Sequence, residues 1–415
     1  MRGEQLLLAL RSRRTATVAL LSFSSGLPLG LVWYAIPDWM RSIGVDIRVV
    51  GWLTLAQAPW AFKVVWSPLV DRFAPPLWGR RRGWIALTQI ALTGGLLILA
   101  GVGHRPEAVW VVGAAALAIA VASATQDIAI DAYAVDVLRP DEQGAVVGVR
   151  AGLYRVAMIV SGGAAITAAA RIGWPMVNVL LALVYVPLLV LTRGAPEPDV
   201  VAPAPATLVD AVWRPLHDVL SRPRAMALLG FVVLYKLPDQ LAQALVQPFL
   251  IDMGYGAVDR GIALAGVSAV VAVAGTLAGG WMTTLVGLGP ALWVCGLLQV
   301  FSNLGFVLLA RNGAPNVPLM YGATSFEQLT TGLGSGAFSV LLLRMTAKQF
   351  SATQYALFSS LFAIPRALVG PATGLAVAMV GWSAFFMGTM VLGVPGLVML
   401  AHLAPRTEGR HVAEP

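Results

Sequence analysis

The chain has 415 residues, of which 58% are apolar and only 12% charged, with a formal net charge of +8. That charged share is about half of what a soluble domain carries, which excludes a water-soluble globular core. Arg and Lys sit in short loops between apolar runs and form no basic module, so the positive balance does not indicate nucleic-acid binding.

A helix that crosses a bilayer needs about 20 mostly apolar residues. In chain order, such runs are predicted at 16–40, 48–70, 84–103, 108–137, 143–170, 174–192, 225–251, 258–286, 288–310, 315–343, 350–380 and 382–403. An Arg-rich segment, Met1–Arg14, precedes the first run, and no cleavage site follows that run. It is therefore expected to stay in place as a helix and not to act as a signal peptide. The sharpest change in composition is Gly194–Ala206, with Pro196, Pro198, Pro203 and Pro205 among acids and alanines. Together with Thr207–Arg224 it reads as a linker that includes a short surface helix. The expected organisation is a six-helix bundle over 1–193, a cytoplasmic linker over 194–224, and a second six-helix bundle with a short tail over 225–415.

Orientation follows from the basic residues. With the N-terminus inside, eighteen Arg and Lys fall on the inner side, six on the outer side and four at membrane depth. Arg150 is counted with the inner group. Such an excess predicts that both termini are cytoplasmic in a bacterial inner membrane.

The two halves echo each other. Leu27-Pro28 recurs as Leu237-Pro238, Gly162 as Gly370, and Gly173-Trp174 as Gly381-Trp382, at offsets of 208–210 residues. Parallel repeats of this kind are the trace of a major facilitator fold, in which two halves rock about a site near the midplane. The predicted fold is thus an all-α membrane protein with about 12 spans in two pseudo-symmetric six-helix halves. Small-residue pairs such as Gly26/Gly30, Gly148/Gly152, Gly275/Gly279, Gly332/Gly336 and Gly370/Gly374 predict close helix contacts.

Charge at membrane depth costs several kcal/mol, so each such residue needs a partner, a water-filled cavity or a function. The candidates are Lys63 in span 2, Asp127 and Asp131 in span 4, Arg155 in span 5, Lys236 and Asp239 in span 7, Glu327 in span 10 and Arg366 in span 11. Asp127 and Asp131 are one turn apart and share a face. Two carboxylates that close disfavour double ionisation, which suits a proton carrier; the bland alternative is a structural network with Lys63 or Arg155. Asp131, nearer the cytoplasmic end, reads as the more structural of the two. Lys236 and Asp239 are three apart and can pair directly, with Pro238 loosening the helix between them. Glu327 lies near midplane and reads either as functional or as a partner for Arg366.

No metal or cofactor is expected. Cys295 is the only cysteine, the four histidines have no ligand spacing, and no catalytic triad or nucleotide loop is present, so no enzymatic activity is expected.

Several strings together carry a family resemblance: Ser24–Pro28, Trp66–Arg72 with Gly79–Trp84, Ser123–Asp131 with Asp136–Leu138, Leu234–Asp239, Phe326–Phe338, Phe350–Leu357 and Arg366–Pro371. On these the chain resembles the AmpG-type muropeptide permeases of the peptide/acetyl-coenzyme A transporter family, from about residue 17 to about residue 400. The resemblance implies a proton-driven importer of N-acetylglucosaminyl-1,6-anhydro-N-acetylmuramyl peptides, acting on a small anionic solute and expected as a monomer. Acetyl-coenzyme A and siderophores are the alternative solutes, and a non-transporting sensor is the alternative class. Well-known members carry extra helices between the halves, whereas here only the Pro-rich linker stands there.

In major facilitator carriers, the cluster Asp71, Arg72, Gly79, Arg80, Arg81 and Arg82 would latch the cytoplasmic side. The corresponding loop of the second half, Thr283–Gly289, has no charge, so the latch is expected to be one-sided. Expected proton-coupling groups are Asp127 first and Glu327 second, with Asp131 and Asp239 as further candidates. Expected cavity residues for the anionic, hydroxyl-rich ligand are Lys63, Arg155, Lys236 and Arg366, with Gln126, Gln240 and Gln328. Trp33, Tyr34 and Tyr154 would stack on its sugar faces.

Overall fold

The computed structural model describes residues 12–403 apart from 47–48, 50–52, 77, 103–104, 199–204, 257–258, 261 and 313–314. Side chains at 54, 106, 145, 244, 265–266 and 363–375 also lie outside the described residues, and with them that of Arg366. A bilayer offers no partner to an unpaired peptide group, so apolar runs of this length must become helices. Among the described residues there is no strand.

The first run forms α1 (Arg13–Ser42), followed by α2 (54–72), α3 (Arg80–Val102) and α4 (Val109–Val137). Helices α5 (140–172) and α6 (174–193) share one hydrogen-bonded stretch, Pro140–Arg193, hinged at Gly173. The linker contributes α7 (Leu208–Leu220). Then come α8 (Ala225–Asp252), α9 (Ile262–Val286), α10 (Leu288–Arg311) and α11 (Val317–Met345). Last are α12 (351–380) and α13 (382–403), which share Ser351–Leu403 and are hinged at Gly381. Eight of these stretches are long and apolar enough to cross a membrane by themselves, Pro140–Arg193 counting as one. Helices α2, α11 and α12 complete the twelve spans of the fold.

Two spans differ from the continuous runs read in the sequence. α2 is broken into a 3-10 turn Thr54–Gln57, a helix Ala58–Phe62, a second 3-10 turn Lys63–Val65 and a helix Ser67–Arg72. Pro59 and Pro68 each stand at the start of one of its short helices, where a missing N–H does no harm, so the span restarts twice. α10 is interrupted at Asn303, whose side-chain amide donates to Thr389 Oγ1 of α13 at 3.0 Å.

The repeat is visible as geometry. Gly173 and Gly381 turn the chain with φ of 78° and 77°. Only glycine adopts that backbone without strain, which is why both hinges carry it. Behind each hinge a Trp clasps the far end of the first helix of its half. Trp174 stacks on Trp39 at 5.3 Å, and Trp382 tilts against Phe249 at 5.2 Å. The corners that end α1 and α8 are the same hydrogen-bonded turn, with Val45 N donating to Met40 O at 3.1 Å and Tyr255 N to Leu250 O at 3.1 Å.

Within each half the glycine pairs let backbones touch. A Cβ on Gly26 would lie 2.3 Å from Tyr154 O of α5, and one on Gly279 would lie 2.0 Å from Leu333 O of α11. Among the described residues the halves meet in two zones, α2 and α4 against α12, and α5 against α9 and α11. Below, the end of the bundle that carries α7 is called the linker side. We expect Gly279→Ala to lower stability by about 1–3 kcal/mol, because the α9–α11 backbones cannot separate locally. Gly94→Ala, with nothing within 4 Å of its Cβ, should be neutral in the same thermal-unfolding assay in detergent.

Candidate functional site

The linker side is fastened by a buried carboxylate. Asp71 ends α2, is 0% exposed, and accepts hydrogen bonds from the first turn of α12. Its donors are Thr353 N at 2.8 Å, Thr353 Oγ1 at 2.7 Å and Ala352 N at 3.3 Å. Helix N-termini present unpaired N–H groups and a positive dipole end, so a carboxylate suits that position. Arg81 at the start of α3 completes the latch. It pairs with Asp71 at 2.7 Å and with Asp136 of α4 at 2.8 Å, and donates to Ser351 Oγ at 2.7 Å.

Of the six residues expected to form this latch, Asp71 and Arg81 do so directly. Gly79 takes a φ of 85° ahead of α3, and Arg80 reaches the Asp71 carbonyl at 3.3 Å. Arg82 points elsewhere, to the Ala195 carbonyl at 3.0 Å and to Glu197 in the linker. The Arg72 guanidinium lies 5.5 Å from the Phe73 ring.

The second contact between halves uses no charge. A Cβ on Gly144 of α5 would lie 2.6 Å from Gly280 O of α9, and one on Gly280 would lie 2.5 Å from Gly144 O. A Cβ on Gly148, one turn further along α5, would meet Leu277 Cα at 2.4 Å. Backbone packs on backbone here, which no larger residue permits.

Above these two contacts lie two polar networks, one in each half. In the first half Asp131 is held by Arg150 at 2.6 Å and by Lys63 at 3.6 Å, and Arg150 also donates to Ser22 Oγ at 2.9 Å. The sequence count placed Arg150 at the inner membrane side; the structure puts it in the bundle. The correction has a simple cause, because α5 starts at Pro140 and Arg150 is therefore about 15 Å along it. Arg150 takes the role of structural partner that the sequence offered to Arg155. Asp127, one turn from Asp131, stays apart: its Oδ1 is buried and makes no hydrogen bond within the described protein. Gln126 is fully buried and donates to Ser24 Oγ at 2.9 Å, so it belongs to the α1–α4 packing and does not line the cavities described below.

In the second half Lys236 pairs with Asp239 at 3.1 Å, as their spacing predicted, and donates to Ser335 Oγ at 3.1 Å. Gln299 of α10 donates to Asp239 from the other side. Glu327 is 2% exposed and accepts from Gln328 at 2.9 Å, Thr331 at 3.1 Å and Gln243 at 3.4 Å. No ion pair reaches Glu327 among the described residues.

Between the networks is a cavity of about 290 Å³, walled by α5, α8, α9 and α11, with Phe362 of α12 at its edge. Its polar lining is Arg155, Lys236, Asp239, Gln240, Gln243, Thr276, Gln328, Thr331, Ser335 and Ser339. A second space of about 170 Å³, lined by Arg150, Tyr154 and Tyr355, shares Val147, Ala151 and Ser339 with the first. Arg155 is exposed in the larger cavity and makes no ion pair with any described residue. Trp33 and Tyr34 are not brought to either space. Trp33 packs edge-on against Trp60 at 6.4 Å, and Tyr34 is 52% exposed beside Gly162.

Comparison with known proteins places the chain. The profile of the Major Facilitator Superfamily matches residues 18–368. Anhydromuropeptide permease of Escherichia coli strain K12 is 39% identical over 402 residues, which cover 96% of this chain and 81% of that one. The chain belongs to the AmpG family of major facilitator transporters. Solved structures agree on the fold. The human organic anion transporter MFSD10 matches with a TM-score of 0.68 at 16% identity, covering 94% of this chain and 99% of that one. The proton:xylose symporter XylE matches with a TM-score of 0.70 at 11% identity, covering 94% of this chain and 96% of that one.

In this AmpG-family transporter, sequence reasoning missed Arg150, Asp136, Ser351 and Thr353 as members of charged networks. The last three lie inside strings that carried the family resemblance, which was the available signal. Removing one partner of a buried ion network costs about 3–5 kcal/mol. Arg81→Ala, which strands Asp71 and Asp136, should therefore shift the transporter toward a state open on the linker side. In a Cys295→Ala background carrying Ser339→Cys, labelling by a water-soluble maleimide from that side should rise several-fold. Unchanged labelling would show that Arg81 does not hold the gate.

Proposed function

We propose that this transporter imports anhydromuropeptides into the cytoplasm by alternating access, coupled to protons, with both chain termini and the linker side in the cytoplasm. The observation that carries the reading is Arg155, an exposed cation with no counter-ion among the described residues, in a cavity whose other polar groups are amides, hydroxyls and the Lys236–Asp239 pair. An anhydromuropeptide offers the matching groups, with peptide carboxylates for the cation and sugar hydroxyls and acetamido groups for Gln240, Gln243, Gln328 and Thr331. Lys236 is already neutralised by Asp239, so Arg155 is the first anchor for an anion. The relative that is 39% identical over 96% of the chain bears the name anhydromuropeptide permease, which supports the same solute. The inward excess of Arg and Lys supports the orientation. Latched on the linker side, the bundle is set to take up ligand from the opposite face.

A hydrogen bond to a charged group contributes about 1.5–3 kcal/mol, or about 10-fold to 100-fold in affinity. Arg155→Ala should therefore raise the KM for a labelled anhydromuropeptide by at least about tenfold in proteoliposomes, with protein level and melting unchanged. Uptake of neutral sugars in preference to peptide-bearing ones would refute the assignment of substrate.

For the proton, Asp127 is the leading group and Glu327 the second. A coupled carrier needs a carboxyl that can be charged or neutral without dismantling a structural ion pair, and among the described residues neither is in one. Asp131 and Asp239 each are, through Arg150 with Lys63 and through Lys236. Asp127→Asn keeps shape and removes titration. It should bind ligand and exchange it across the membrane, yet fail to concentrate it under an imposed pH gradient. Glu327→Gln should show that split only if coupling belongs to the second half. Gradient-driven accumulation by Asp127→Asn would move the coupling site elsewhere.

A further inference from the structure

The linker helix α7 carries three stripes of different character. Ala211, Pro215 and Val219 recur every fourth residue and are buried against the bundle. Asp210, Arg214 and His217 form a polar stripe, with Asp210 and Arg214 paired at 3.1 Å. The third stripe is Val209, Trp213, Leu216 and Leu220, spaced i, i+4, i+7 and i+11; Leu216 at its edge is half-buried and the other three are exposed. Val209 is 74% exposed and Trp213 is 66% exposed. A helix needs only one apolar stripe to dock on a bundle, so the second one calls for a second apolar surface.

The position of α7 says which surface. It packs on the terminal turns of α2 (Ser67–Arg72) and on the beginnings of α8 and α12, which is the level where the spans end. α2 itself has exposed apolar side chains at Phe62, Val65 and Leu69 leading toward that end. A helix at this depth, flanking the bundle, has protein on one side, water on the second and the leaflet on the third. Its three stripes match those three surroundings. Trp is favoured where an apolar body meets a polar boundary, and Arg is favoured beside anionic headgroups.

We infer that α7 lies in the interface of the linker-side leaflet, with Val209, Trp213, Leu216 and Leu220 dipping among the lipids. The contact also bears on the gate. Asp218 of α7 accepts from Gln354 of α12 at 2.7 Å and pairs with Arg222 at 2.6 Å, and Arg222 donates to the Met345 carbonyl at 2.6 Å. Gln354 adjoins Thr353, which receives the Asp71 latch. A lipid-anchored α7 therefore fixes the depth of the helix end to which the latch is fastened.

The test uses the full chain in liposomes of phosphatidylethanolamine and phosphatidylglycerol, with Cys295→Ala as background. Nitroxide labels are placed singly through Val209→Cys, Trp213→Cys and His217→Cys, all exposed positions that leave the fold untouched. Oxygen, which partitions into the bilayer, should relax the labels at 209 and 213 several-fold more than a water-soluble nickel chelate does. The label at 217 should show the reverse. Nickel collisions at 209 as frequent as at 217 would place the stripe in water and overturn the inference. Exclusion of both reagents from 209 would mean that protein covers the stripe, from a second copy or another partner, and would overturn it equally.

Discussion

A charge at membrane depth is tolerated only with compensation, at a cost of about 2.5–3.5 kcal/mol or more otherwise. That constraint sorts the interior of this transporter. Arg81 with Asp71 and Asp136, Arg150 with Asp131 and Lys63, and Lys236 with Asp239 are compensated sets whose geometry depends on staying charged. Asp127, Glu327 and Arg155 are outside these sets, on three different helices. A bundle selected only for stability would have apolar residues at those three places. Their retention is intelligible if each is completed in turn by something that arrives, a proton for the carboxyls and an anion for the guanidinium.

The two contacts between halves oppose each other in chemistry. The α2–α12 contact is made of groups that water solvates nearly as well as the protein does. Breaking it returns a carboxylate, a guanidinium and a helix end to solvent, so the latched and open states can lie within a few kcal/mol of each other. The α5–α9 contact is backbone on backbone across Gly144 and Gly280, with no such solvation to gain. It can act as a close-fitting pivot or seal while the polar contact opens and closes. The uncharged turn at Gly287, where the second half has its counterpart to Gly79, belongs with this asymmetry.

Much of this was legible in the sequence because bilayer physics is local. Apolar runs gave the spans, and the paired Gly-Trp steps at 173 and 381 marked the hinges. The three-residue spacing of Lys236 and Asp239 gave their ion pair. What was not legible depends on distant parts of the chain. Asp71 and Thr353 are 282 residues apart, and nothing near Asp71 announces that its acceptors face a helix end from the other half. Arg150 was counted with the inner loops although it stands seven residues inside the apolar run 143–170, deep enough to carry a cation into the bundle. The two breaks in α2 were written in Pro59 and Pro68, but a hydropathy run hides them. Trp33 and Tyr34 looked like sugar platforms by residue type alone; packing assigns Trp33 to Trp60 instead.

The halves keep their shape and discard the symmetry of their charges. The hinges, the Trp clasps and the corners at Gly44 and Gly254 recur at offsets of 208–210. The polar residues do not. At the same offset Asp127 and Asp131 correspond to Ser335 and Ser339, Glu327 corresponds to Ile119, and Lys236 corresponds to Gly26. A repeated carboxylate at 335 would stand beside Lys236, where the Ser335 hydroxyl now accepts from the ammonium without adding charge. With Asp239 already there, it would leave that small volume with two acids for one base. Shape can be duplicated because helix packing asks the same thing of each half. Charge cannot, because both halves face one cavity, and a like charge on each wall would repel across it as well as repel one of any two ligand groups between them. Divergence of the charged residues on a conserved frame is therefore what a single asymmetric ligand between two similar walls requires.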